Sequence, residues 1–292
     1  MKETGSSRRR KAKGGYRARS LLHLDELDQG LATLDATRST MLVGLVLATR
    51  SIKRKFAEHK IRLTPVVYLR TDIWEQLQFS DKNKISESQA TRIEWETQSL
   101  RRLIEMRAST KLGESVVWDA LEDGEKMRGS QPKWNHIVAR TQLRPRDAIQ
   151  FCNIAFGKRA DRSLPLTNAD VVSARQEYST YLKHELDDEI LAHWPMWSSA
   201  LETFTALQIH TFSPEQFRAE FQTRDDRTPP DEALERLFSF SVIGYQARSG
   251  YGGSTWVFRY EIPSAHWDPF TSLCKVHPGL KEYCRIQEDR HN

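Results

Sequence analysis

The sequence predicts a mixed fold: an α/β unit near the N-terminus, a helical middle, and a closing unit of short helices with a β-hairpin. Two short β-like runs, LLHL and PVVYL, flank one long helical stretch, the pattern of a parallel crossover. The pattern becomes helical from Ile73 onward, and a Gly-rich turn at Ser249 to Ser254 separates two final β-favouring runs. The chain divides on this reading into residues 1–19, 20–110, 111–195 and 196–292.

The first strand is Leu21, Leu22, His23 and Leu24, an apolar run that ends in the carboxylates Asp25, Glu26 and Asp28. Acids at a strand tip are costly unless a positive group meets them. In nucleoside triphosphatases that group is Mg²⁺ on a phosphate chain, with one acid holding the ion through water and its neighbour polarising the attacking water. Asp25 is then the candidate ion ligand and Glu26 the candidate base. The same pattern also begins many helices.

Leu31 to Lys60 reads as a helix that starts near Asp35 and ends in the basic turn Lys53, Arg54, Lys55, where cations suit the helix dipole. Val66, Val67, Tyr68 and Leu69 form the second strand, opened by Pro65. In a parallel pair both strands end at one sheet edge, which brings Arg70, Thr71 and Asp72 beside Asp25 and Glu26. Open α/β sheets place their ligands at that edge.

Beyond Thr71, TDIWEQLQF reads as a short helix, DKNKISESQ as polar loop, and WETQSLRRLIEMRAS as a helix with Leu100, Leu103 and Ile104 on one face. Gly113 to Trp134 mixes glycine, acids and aromatics without a clear period. Pro145 and Asp147 sit where a helix start favours them, and TNAD at Thr167 resembles a capping box for a helix reaching about His193. Helices near Trp197 to Leu207, Pro214 to Phe221 and Asp231 to Phe240, followed by SVIGYQAR and STWVFRYEI, are the parts of a winged helix. Asp231, Glu232 and Glu235 on its would-be recognition helix repel phosphates, which favours a protein contact over DNA reading.

Composition bounds the classes. A hydrophobic fraction of 38% and a charged fraction of 28% are those of an ordinary soluble protein. No apolar run is long enough to span a bilayer, and Met1 to Ser20 lacks the apolar centre of a signal peptide. Cys152, Cys274 and Cys284 are too scattered for a disulfide framework, which points to the cytoplasm. The net charge of +5 resides in the tail, where Arg8, Arg9, Arg10, Lys11, Lys13 and three further cations oppose Glu3 alone. That tail reads as disordered and able to touch DNA phosphates. Cys274, His277, Cys284 and His266 lack the spacing of known zinc sites. No GxSxG occurs, and the tryptophans are dispersed in a way that suits core packing better than base stacking.

LLHLDELDQG, VVYLRTDIWEQLQFSDKNK, RIEWETQSL, LRPRDAIQFCNIA, FSVIGYQ and KVHPGLKEY, in that order, resemble the C-terminal portion of bacterial P-loop ATPases of the STAND/KAP-like AAA+ group. The resemblance spans Leu21 to Ile286. It implies an incomplete P-loop NTPase parallel sheet with Walker B and sensor 1 strands, a helical lid, and a C-terminal winged helix. Asp25 is then the Mg²⁺ ligand, Glu26 the base, Arg70 or Thr71 a γ-phosphate sensor, and Arg144 and Arg146 a second sensor or a finger toward a neighbouring subunit's ATP. Those two arginines could equally pair with nearby acids, and Arg70 with Asp72. No GxxxxGK[ST] occurs; GKRADRS at Gly157 to Ser163 lacks the glycine-rich loop ahead of its lysine. The resemblance therefore implies a nucleotide-dependent switch that cannot hydrolyse ATP alone and needs a chain or segment carrying Walker A, in a possible homo-oligomer. The alternative is a non-catalytic winged-helix regulator or interaction protein that binds DNA through its basic tail.

Overall fold

The computed structural model describes residues 20–27, 35–158, 164–191, 193–248 and 253–287, leaving aside the side chain of Asp72. The basic tail with Arg8, Arg9, Arg10, Lys11 and Lys13 lies outside the described residues. The fold is mixed α/β, about half helical among the described residues, with one small parallel and one small antiparallel sheet. It divides into two compact units, Met1–Arg92 and Ile93–Asn292.

In the first unit β1 (Ser20–Leu24) and β2 (Leu63–Val67) pair in parallel, from Ser20 against Leu63 to Leu24 against Val67. The crossover is α1 (Ala36–Glu58), capped by Asp35, whose carboxylate accepts the Arg38 N–H at 2.8 Å. After β2 come α2 (Thr71–Gln76) and α3 (Lys82–Ser88). The stretch holding α3 had read as polar loop because its apolar content is one residue, yet Ile85 is buried. Leu42, Ile73 and Leu77 form this unit's small core, with Leu27 and Leu69 packed against it. Those two leucines lie just after the strand ends and anchor the edge that carries the acids.

The second unit begins with α4 (Thr97–Leu112), stopped by Gly113 in the left-handed region at φ 76°. The unreadable stretch that follows contains α5 (Trp118–Leu121), a turn of 3₁₀ helix at Arg128–Ser130, and α6 (Lys133–Val138). Next come α7 (Pro145–Phe156) and α8 (Asn168–Ile190), the latter opened by a reciprocal capping box between Thr167 and Asp170. This helix stops at Ile190, before the expected His193. Phe151 of α7 meets Tyr178 of α8 with ring centroids 4.8 Å apart.

The closing elements are α9 (Trp197–Leu207), β3 (Thr211–Phe212), α10 (Pro214–Phe221), α11 (Pro230–Ser239), β4 (Ile243–Arg248), β5 (Ser254–Val257) and β6 (Cys274–Val276). Their antiparallel sheet has the order β3-β6-β4-β5. One core cluster runs from Leu100 on α4 to Ile286, so the helical region and the closing sheet share a hydrophobic interior.

Candidate functional site

Parallel pairing delivers the strand ends to one edge. The Tyr68 N–H donates to the Leu24 carbonyl at 2.9 Å, so Asp25 and Glu26 leave β1 where Tyr68, Leu69 and Arg70 leave β2. The His23 ring stacks on the Tyr68 ring, and Nδ1 lies 2.8 Å from the phenol oxygen. This contact fixes the two strands immediately before the edge. Asp25, Glu26, Arg70 and Thr71 are all exposed there. The Glu26 N–H donates to Asp25 Oδ1 at 2.8 Å, and Glu26 holds φ 57°, a region non-glycine residues seldom adopt.

The edge offers a cation few protein ligands. Among the described residues no group of three or more His, Cys, Asp or Glu side chains is placed to hold a metal ion. Cys274, His277 and Cys284 are among the residues that form no such group.

Arg144 and Arg146 belong to the other unit. Arg144 precedes α7 and forms a two-pronged pair with Glu189, in which Nη2 lies 3.1 Å from Oε2. Arg146 Nη1 donates to Glu185 Oε2 at 2.9 Å. Glu185 and Glu189 stand one turn apart on α8, so a single face of that helix receives both arginines. Burial lowers the pKa of Arg144, but the Glu189 carboxylate, with Asp147 and Glu185 behind it, holds it above the ordinary value. The hydrogen bond that Arg146 donates to Glu185 raises the pKa of Arg146.

Beneath this pair lies Asp147, 1% exposed. Burial pushes its carboxyl up to about 6, against Arg144 and the Gln142 N–H that donates to Oδ2 at 3.2 Å. Gln142 also donates through Nε2 to the carbonyls of Phe240 and Ser241, at 3.3 Å each, tying the segment before α7 to the turn between α11 and β4. Sequence reasoning named the arginines, and Asp147 only as a helix-start residue, but missed Gln142 and the α8 carboxylates. The available signal was the spacing of Glu185 and Glu189 on one helical face.

A family model described as a FunZ-associated C-terminal helical domain matches residues 98–187. That span covers nearly all of α4 and most of α8, with Arg144, Arg146, Asp147 and Glu185 inside it. No curated protein and no solved structure matches the chain.

Proposed function

We propose that the chain is part of a STAND/KAP-like P-loop ATPase acting as a nucleotide-dependent switch. The observation that carries this reading is the parallel β1–β2 pair, whose ends bring Asp25 and Glu26 to the edge that also holds Arg70 and Thr71. Asp25 would hold Mg²⁺, Glu26 would orient the attacking water, and Arg70 or Thr71 would sense the γ-phosphate. The metal, when bound, neutralises charge on the phosphates. Residues 98–187 match a domain described as C-terminal and helical, which supports a helical unit following the β1–β2 unit; the lid role comes from the resemblance alone. Because the 292 residues contain no GxxxxGK[ST], backbone N–H groups for the phosphates come from another chain or segment.

The test begins with the DNA immediately upstream of the Met1 codon, read in all three frames for a strand followed by GxxxxGK[ST]. The polypeptide joined to that segment is expected to hydrolyse ATP. Glu26→Gln should abolish turnover while retaining nucleotide, and Asp25→Ala should remove the Mg²⁺ dependence of binding. Hydrolysis untouched by both substitutions would sink the assignment, as would the absence of any such segment in the DNA.

A second reading draws on the closing unit. Its order of helix, strand, two helices and hairpin supports a winged helix. The acids Asp231 and Glu232 in the first turn of α11 favour a protein partner for that helix over DNA.

A further inference from the structure

We propose that the outer face of the β3-β6-β4-β5 sheet binds single-stranded nucleic acid, with Trp256 stacking on a base and Lys275 and Arg248 meeting phosphates. This inference does not depend on the carboxylate edge of the first unit.

The register separates the two faces of the sheet. Tyr245 pairs with Val257 and Cys274, and these with Ile243, Ala247, Val276 and Phe212 pack on the core. The intervening positions face the other way: Gln246 opposite Trp256, Arg248 opposite Ser254, and Gly244 opposite Lys275. The Phe258 ring covers this face at Gly244, where an added Cβ would lie 2.8 Å from it. The open part is thus the β4–β5 end, where Arg248 and Ser254 are exposed and Gln246, Trp256 and Lys275 half-buried.

Trp256 stands apart from the other tryptophans. Trp118, Trp134, Trp194 and Trp197 are core residues, Trp95 and Trp267 pack against that core, and Trp74 packs against the core of the first unit. Trp256 belongs to neither cluster. Its contact is instead a cation, with Lys275 Nζ 4.3 Å from the ring centroid. Gln246 Nε2 donates to Ser254 Oγ at 3.1 Å beside it.

Charge selects the occupant. No residue on the four strands is acidic, while Arg248 and Lys275 are basic. An aromatic ring beside cations and amide or hydroxyl groups, on strands that carry no acidic residue, is complementary to a polyanion with π-faces. Bases in a duplex are already stacked, so the single strand is the form this face accepts.

The experiment measures anisotropy of a labelled oligodeoxythymidylate of about 16 nucleotides with the full chain across a salt series. Trp256→Ala should weaken binding about tenfold and Trp256→Phe far less. Lys275→Gln should lower the slope of log K against log salt by about 1. If the alanine variant melts early, the phenylalanine and glutamine variants decide. A tail variant carrying R8Q, R9Q, R10Q, K11Q and K13Q should keep the Trp256 dependence, and oligouridylate in place of the DNA distinguishes RNA from DNA as the source of the strand. Three results overturn the proposal: no binding at low salt, binding lost in the tail variant but unchanged by Trp256 and Lys275 substitutions, or tighter binding to duplex than to single strands.

Discussion

Arg144 and Glu189 are joined by two hydrogen bonds across the α7–α8 contact, one of them Nη2 to Oε2 at 3.1 Å. The Glu189 side chain is largely buried, whereas that of Arg144 is 40% exposed, so water screens the arginine side of the pair. A double-mutant cycle with Arg144→Ala and Glu189→Ala is expected to give a coupling energy of about 1 kcal/mol. Urea denaturation supplies all four stabilities. Strict additivity would show that the pair contributes nothing to holding α7 on α8.

Asp147 makes stability depend on pH. Its folded-state pKa of about 6 lies above the ordinary 3.8, so the native chain keeps a proton that the unfolded chain has released. The stabilising contribution is complete below the unfolded value and is lost as pH rises through the folded one. Asp147→Asn removes this dependence while leaving an amide oxygen for the Gln142 N–H. Its stability relative to the parent is expected to rise by about 2 kcal/mol between about pH 4 and about pH 7. A difference that stays flat across that range contradicts the burial argument.

Gly279 has no room for a side chain. A Cβ there would lie 2.3 Å from the Arg140 carbonyl oxygen and 2.5 Å from Leu182 Cδ2. Gly279→Ala is expected to destabilise the chain by about 1–3 kcal/mol through overpacking. Gly44, exposed in the middle of α1 with nothing within 4 Å of its would-be Cβ, is the contrast. Gly44→Ala should stabilise by about 0.5–1 kcal/mol. Thermal melts of both variants check the opposite signs.

Local chemistry carried the legible part of the fold. Asp35, Pro145 and the Thr167–Asp170 box announce helix starts because each satisfies or spares backbone N–H groups within a few residues. The β1–β2 edge was legible for a related reason: two apolar runs around one helix leave a parallel pairing as the simple connection. The stretch around Lys133 defeated the same reasoning. A lysine reads as surface, yet Lys133 is fully buried, held by Asp123, Glu122 and the Glu125 carbonyl, while in the same stretch the rings of Trp118 and Trp134 meet with centroids 4.8 Å apart. Nothing local signals such a contact. The insertion of β6 between β3 and β4 is also long-range, decided by how Cys274 and Val276 fill the core. Trp256 differs from the other tryptophans in belonging to neither core cluster, which dispersal along the chain does not reveal.

The two units differ in what they can bury. In the second, a continuous cluster includes Phe151, Tyr178, Trp197, Phe204, Phe217 and Phe238, each at most 1% exposed. The first has Leu42, Ile73 and Leu77 as its buried cluster, while Leu21 is 58% and Leu22 40% exposed on β1. Parallel strands are ordinarily covered on both faces, and two strands alone are marginal. Residues 93–292 expressed separately are therefore expected to unfold cooperatively in urea. Residues 1–92 should show no cooperative transition, and changing Leu21 and Leu22 to threonine should leave that fragment's behaviour unaltered. Circular dichroism through the titration distinguishes the cases. A steep transition in the smaller fragment would mean that its three-residue cluster and strand pair suffice without further strands.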